Sequence, residues 1–330
     1  MSPAKLLVFD MDGVIIDVSR SYREAVRQTA RLFLTGARGA EKLPDPLFTL
    51  ADLARLKQSG GLNNDWDLTA QALSLLFTLV KFPPKKNQTE SSFDEEIRGC
   101  DVSALVEFLA RHPDPLGDIY AREGKIENPF VTAWFRGDVG SGNMVKQIFQ
   151  EIYLGDRLFR STYGMEPRFH RGKGLIDEET LLIDKETLAL LAEGHVLAIA
   201  TGRPGGEADY ALDHFSIRKY FRLMATLDDC LREEGLIFRE RGERIALSKP
   251  HPYMLDRISE LINESFQEYY YLGDMTDDMR AAAASRFGYK GVGILLSSPD
   301  PENHRRGLLE AGAHCLIENI SELPEIFASP

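Results

Sequence analysis

The chain of 330 residues is poor in several things that would define a class. Its three cysteines, Cys100, Cys230 and Cys315, are widely spaced and odd in number, so neither a disulfide framework nor a zinc cluster is suggested, and they read as reduced thiols. No apolar run approaches the roughly 18 residues of a membrane span. The opening Met-Ser-Pro-Ala-Lys-Leu-Leu-Val-Phe-Asp is too short in apolar length for a signal peptide, and a cytoplasmic location is expected. Positive charge is in deficit, 39 Lys and Arg against 51 Asp and Glu for a net charge of −12, which argues against nucleic-acid or anionic-membrane partners. The seven histidines show no paired metal-ligand spacing. Gly140-Ser141-Gly142 lacks the spacing of a dinucleotide fingerprint, and no phosphate loop ends in Gly-Lys-Ser/Thr, so a kinase or NAD enzyme is disfavoured. With 43% hydrophobic residues the chain can bury a large core, most simply as two domains.

What is present is acid placed at strand ends. Leu6-Leu7-Val8-Phe9 is a short apolar run that leads into Asp10, Met11, Asp12 and Gly13. Residues i and i+2 share a face of a strand, so the two carboxylates point to one side, and Gly13 lets the chain turn beneath them. Such a pair repels by about 4 kcal/mol at an effective dielectric near 20 and needs a cation, a shared proton or strong donors. Alone, it is also what a capped turn after a strand would show. Three further segments repeat the form. Val196 to Ala200 ends in Thr201-Gly202-Arg203-Pro204, a hydroxyl followed by a glycine amide that can hold a phosphate oxygen. Lys249-Pro250 precedes a helix expected over Tyr253 to Ile262, and Tyr269 to Gly273 runs into Asp274-Met275-Thr276-Asp277-Asp278. Hard oxygen donors without nearby Cys or His suit Mg²⁺ rather than Zn²⁺.

In this order, Asp10, Asp12, Thr201, Lys249, Asp274 and Asp278 resemble the four motifs of the haloacid dehalogenase superfamily of phosphohydrolases, subfamily I with a C1 cap, phosphoglycolate phosphatase-like. The resemblance implies an α/β fold, a doubly wound, Rossmann-like parallel sheet with an inserted, mainly helical cap domain. It also implies roles. Asp10 would be the nucleophile that forms an aspartyl-phosphate, and Asp12 the general acid and base. Thr201, Gly202 and Lys249 would bind the substrate phosphate, with Thr201 and Lys249 counted in the catalytic set. Arg203, by its place directly after Thr201-Gly202, reads either as a further phosphate-binding residue or as the partner of a nearby acid. Mg²⁺ would be held by Asp10, the Asp12 carbonyl and Asp274, with Asp278 as outer acid and Asp277 as its competitor. Met275 stands where the family often has Thr. Dehalogenases and phosphonate-cleaving relatives lack an acid at the position of Asp12, so the superfamily's name does not describe the expected activity.

Counting between motifs places the insertion. The stretch from Asp12 to Thr201 is far longer than a crossover needs, so residues 18–177 are expected to form the cap and residues 1–17 with 178–330 the catalytic core. Within the cap, helical patterns run over Ser21 to Leu34, Asp67 to Val80 and Asn143 to Phe159, while Pro83 to Arg98 reads as a polar surface loop. Arg168-Phe169-His170-Arg171-Gly172-Lys173-Gly174 reads either as a substrate clamp or as a solvated hinge, and Trp134, Arg136 and Lys146 are candidates to reach substrate. In the core, strands are expected at Phe221 to Thr226, Gly291 to Leu296 and His314 to Ile317, and a hairpin or loop over Asp228 to Ser248. The expected function is Mg²⁺-dependent hydrolysis of a small phosphorylated metabolite. A sugar-phosphate mutase using the same aspartates is the rival, and a non-catalytic phosphometabolite-binding regulator is a third reading. Oligomeric state is left open.

Overall fold

The computed structural model describes residues 5–58, 64–82, 92–296 and 301–328. The chain divides into two compact units, Met1–Val18 with Thr180–Pro330, and Ser19–Glu179.

Among the described residues the first unit carries eight strands, β1 (Leu6–Phe9), β2 (Ile16–Asp17), β3 (Thr180–Leu181), β4 (Val196–Ala200), β5 (Leu223–Ala225), β6 (Tyr269–Gly273), β7 (Lys290–Ile294) and β8 (Cys315–Ile317). Six of them form one sheet in the order β5-β4-β1-β6-β7-β8, every pair parallel. The continuous apolar runs in β1, β4 and β6 follow from this, because helices cover both faces of such a sheet and leave no solvated side to alternate toward. From β1 the chain builds outward to β4 and β5, then crosses to β6 on the other side, so β1 ends at the topological switch point where α/β sheets open a crevice. On one face, Leu6, Val8, Ala198 and Tyr271 pack against Met254, Leu255 and Ile258 of helix Tyr253–Ile262 and Ala281 and Ala282 of helix Thr276–Ala284. β2 and β3 pair antiparallel, Ile16 opposite Leu181, and bracket the inserted unit.

The stretch expected as a hairpin or loop after Asp228 is instead a helix, Leu227–Arg241. A capping box of Thr226 and Asp229 starts it and left-handed Gly242 ends it. Only Cys230 of this helix is buried, so no apolar stripe advertised it. Cys230 Sγ lies against the Leu247 carbonyl, and burial pushes its thiol up to about 12. Glu234 accepts the Leu247 amide at 2.7 Å, which ties the chain down two residues before Lys249.

The second unit is helical, built on Tyr22–Phe33, Asp65–Leu76 and Met144–Tyr163. Tyr22 stacks on Tyr153 with ring centroids 4.2 Å apart, and Phe33 packs against Phe77, Phe93 and Phe130. Buried Asp52 accepts the Leu116 and Gly117 amides at 2.8 and 2.9 Å, a carboxylate seated at the N-terminus of helix Pro115–Glu123. The end of the expected loop is also helical, Phe93–Arg98 with a Ser92 and Glu95 capping box, while residues 83–91 lie outside the described residues.

The backbone of the basic return segment is not a free hinge. Fully buried Glu151 gathers three successive amides on one oxygen, from Arg168 (2.9 Å), Phe169 and His170 (3.0 Å), and its other oxygen takes Gln147 Nε2 at 3.0 Å. Arg168 pairs with Asp94. Gly155, at φ 67°, breaks helix Met144–Tyr163, and a Cβ there would sit 2.3 Å from the Gly174 nitrogen. Gly155 and Gly174 therefore serve close backbone approach rather than freedom. Glu151→Ala strands three amides, and the expected cost is about 3–5 kcal/mol of unfolding free energy, with Glu151→Gln losing less; chemical denaturation of both variants checks the order.

Candidate active site

Register brings the sequence candidates of the first unit to one edge. Phe9 lies opposite Ile199 of β4 and Leu272 of β6, so the residues that follow, Asp10, Thr201 and Asp274, leave three adjacent parallel strands at their C-terminal ends. The Asp10 amide donates to the Leu272 carbonyl at 2.8 Å, which fixes its backbone. Beyond Asp12 the chain turns tightly, with the Gly13 amide on the Ile16 carbonyl at 2.8 Å and Gly13 at φ 75°. A side chain at Gly13 would have its Cβ 2.2 Å from Asp274 Oδ2, so this glycine makes room for a carboxylate.

The two aspartates of the opening pair have separate partners. Asp10 Oδ1 accepts the Met11 amide at 2.8 Å, and Oδ2 lies 2.9 Å from Lys249 Nζ. Lys249 also donates to Asp278 Oδ1 at 2.7 Å. Asp278 is wholly buried, takes the Tyr271 hydroxyl at 3.0 Å and accepts the Met275 amide at 2.9 Å. Asp12 instead accepts Arg203 Nε at 2.6 Å. The mutual repulsion of the pair is thus offset by two different cations, one for each carboxylate.

Burial shifts these groups strongly. Desolvation raises the Asp10 carboxyl well above the usual carboxylate range, Lys249 opposes it, and Asp278, Asp12 and Asp274 add to the rise. Burial works against the Lys249 ammonium, yet Asp10, Asp278 and Tyr271 lift it well above an ordinary lysine, so it stays charged. A buried carboxyl of raised proton affinity beside a fixed ammonium, at a sheet switch point, is the form functional sites take.

Oxygens of Asp10, Asp274 and Asp278 come within 4.8 Å of one another. This all-oxygen set, without Cys or His, fits a hard divalent cation of the Mg²⁺ type. The Asp12 side chain is outside that set, and so is Asp277, whose carboxylate pairs with Arg280 at 2.9 Å. Buried Thr201 accepts the Arg203 amide on Oγ1 at 3.2 Å and keeps its own hydroxyl proton to donate. A Cβ at Gly202 would meet nothing within 4 Å, so packing does not demand glycine there.

Among the residues of the second unit considered for substrate, Trp134 Nε1 donates to Glu96 at 3.1 Å, and Lys146 pairs with Asp138 at 2.7 Å while lying over the Trp66 ring. Two contributors to the first unit's site were not marked by sequence: Tyr271, whose hydroxyl lies between Asp278 and the Ala200 carbonyl, and His304, whose Nε2 donates to the Asp274 carbonyl. Tyr271 is wholly buried within β6, where its hydroxyl needs a partner. His304 is joined to Asp274 across 30 positions and left no local signal. No described helix is long and apolar enough to cross a membrane.

Solved structures of similar fold include a target of the Northeast Structural Genomics Consortium, at TM-score 0.62 and 20% identity over 98% of each chain. A phosphatase from Thermococcus thioreducens matches at TM-score 0.51 and 18% identity, over 92% of this chain and 99% of that one. A predicted phosphoglycolate phosphatase from Haemophilus somnus matches at TM-score 0.51 and 14% identity, over 99% of both. At these identities the likeness is one of fold. Among curated proteins, imidazoleglycerol-phosphate dehydratase from Phytophthora nicotianae is 41% identical over 68 residues, 21% of this chain and only 13% of that protein's length. The family model of haloacid dehalogenase-like hydrolases matches residues 4–286, which takes in the whole acid, hydroxyl and lysine constellation, and the chain belongs to that family.

Proposed function

We propose that this hydrolase is a Mg²⁺-dependent phosphatase of small phosphorylated metabolites, with Asp10 as nucleophile. The observation that carries the reading is the convergence of Asp10, Lys249, Asp274 and Asp278 at the end of β1 and β6, with Thr201 leaving the adjacent strand β4. An Asp10 oxygen attacks phosphorus, the P–O bond to the leaving alkoxide breaks, and Asp12 gives that alkoxide a proton. Water then attacks the aspartyl-phosphate, Asp12 takes a proton back, and Asp10 leaves as carboxylate. Lys249, the Thr201 hydroxyl and the Gly202 amide face the charge on the transferring phosphoryl oxygens. Asp10, Asp274 and the Asp12 carbonyl would hold Mg²⁺, with Asp278 as outer acid, and the ion would supply positive charge to Asp10 and phosphate. Unit Ser19–Glu179 is the proposed C1-type cap that selects substrate. The test is release of inorganic phosphate from a panel of phosphomonoesters with Mg²⁺, set against isomer formation from sugar phosphates. Phosphate release is the expected result, and isomer formation alone would favour a mutase.

The site links metal to protons. The folded Asp10 carboxyl holds its proton to higher pH than the unfolded one, whose pKa is near 4. Above about pH 4 and up to the folded value, this group therefore binds more proton in the native state than in the unfolded state, and its contribution to the stability of the metal-free protein falls as pH rises. A cation on Asp10 must displace that proton, so its binding strengthens in the same direction. Millimolar Mg²⁺ is expected to raise Tm more near pH 7.5 than near pH 5, read by thermal unfolding at both. Equal shifts would contradict the assignment of Asp10 as a ligand.

A further inference from the structure

We propose that Arg203 is a positioning residue that holds the Asp12 carboxylate in place for both half-reactions, and that it does not bind the substrate phosphate. The inference rests on the phosphatase reading above, since it gives Asp12 its task. Among the described residues Arg203 is the largest fully buried side chain, and its side chain has no exposure, whereas Asp12 is 31% exposed, Lys249 15% and Asp10 7%. Asp10, Lys249 and Asp12 each keep exposed surface at the site, whereas the guanidinium keeps none and meets Asp12 instead.

Arg203 Nε instead donates to Asp12 Oδ1 at 2.6 Å, a charge-assisted bond at the short end of its range. Its backbone is held on both sides. The Arg203 amide donates to Thr201 Oγ1 at 3.2 Å, and its carbonyl accepts the Leu227 amide at 3.0 Å. The donor therefore stands on fixed chain between β4 and helix Gly205–His214, while the acceptor follows the left-handed turn at Gly13. Asp12 must meet the leaving oxygen first and the attacking water second, from one position. A group that moves by about 1 Å costs on the order of 100-fold in rate, so a rigid partner matters. Arginine suits the task chemically, because it stays charged throughout and cannot compete for the proton that Asp12 carries.

The test is a mutant cycle on the full chain with Mg²⁺: wild type, Arg203→Met, Asp12→Asn and the double variant, each assayed on an alkyl phosphomonoester and on 4-nitrophenyl phosphate. Arg203→Met is expected to lower kcat on the alkyl ester about 100-fold with KM within about threefold. On 4-nitrophenyl phosphate, whose leaving group needs no proton, it is expected to give a burst of nitrophenolate equal to the enzyme, followed by slow turnover. In the Asp12→Asn background the same substitution is expected to cost under about threefold. Additive losses, or a KM raised about tenfold or more on both substrates, would overturn the proposal and return Arg203 to the phosphate. Arg203→Lys guards against misfolding: it keeps the charge but loses the rigid fork, and is expected to fold with kcat still reduced about tenfold or more, while full recovery of kcat would also overturn the proposal. Wild-type turnover that is lost in Asp10→Asn is read first. Its absence would sink the phosphatase reading itself, whereas its presence leaves the cycle to decide Arg203 alone.

Discussion

Asp10→Asn is expected to lower turnover of every phosphomonoester substrate by at least about 10⁴-fold, equivalent to about 5 kcal/mol of transition-state stabilisation, while leaving the fold intact. The expected loss is large because the proposed nucleophile has no understudy. Asp12 is turned to Arg203, Asp278 is committed to Lys249, Tyr271 and the Met275 amide, and neither can reach across to replace an attacking oxygen without releasing its partner. The fold survives because asparagine keeps the acceptor for the Met11 amide, and burial already favours an uncharged group at this position. Steady-state phosphate release with a thermal unfolding curve of the same preparation checks both halves. Activity within about tenfold of wild type would remove Asp10 from the chemistry.

Gly13→Ala disables the protein by a different route. At φ 75° any L-residue is strained by about 1–2 kcal/mol, and the new Cβ would stand 2.2 Å from Asp274 Oδ2 and 2.6 Å from its Cγ. Asp274 has to move, and it supplies one of the three carboxylates of the cation set. Mg²⁺ affinity is expected to fall about 10–100-fold or more, with a loss of stability of about 2 kcal/mol, read by calorimetric titration and thermal unfolding. Gly235→Ala is the matching control. A Cβ there meets nothing within 4 Å, and inside helix Leu227–Arg241 it gains about 0.5–1 kcal/mol.

The site was legible in the sequence where chemistry follows a strand by one or two residues. Leu6–Phe9, Val196–Ala200 and Tyr269–Gly273 are unbroken apolar runs, and the polar residues after them sit at the sheet edge because parallel pairing puts all three ends on one side. Helix Leu227–Arg241 was hidden for the opposite reason. It buries only Cys230, so its hydrophobic pattern is flat, and the capping pair Thr226 and Asp229 was its one local mark. Pairings made at long range left their partners unnamed. Asp12 meets Arg203 across 191 positions, and Glu151 receives amides 17 to 19 residues on, which no spacing rule anticipates. The same holds for Lys146, which looks like a free cation in sequence but lies over Trp66 and against Asp138. Where a charged residue is spent on structure, only the fold reveals it.

The measurement that bears most directly on Asp10 as nucleophile is chemical capture of the intermediate. Enzyme turning over a phosphomonoester with Mg²⁺ is quenched in acid, reduced with borohydride and mapped by peptide mass spectrometry. An acyl phosphate on Asp10 is reduced to homoserine at position 10, and this change is expected only when substrate and Mg²⁺ are both present. Reduction at Asp12 or Asp274 instead, or none during measurable turnover, would contradict the account.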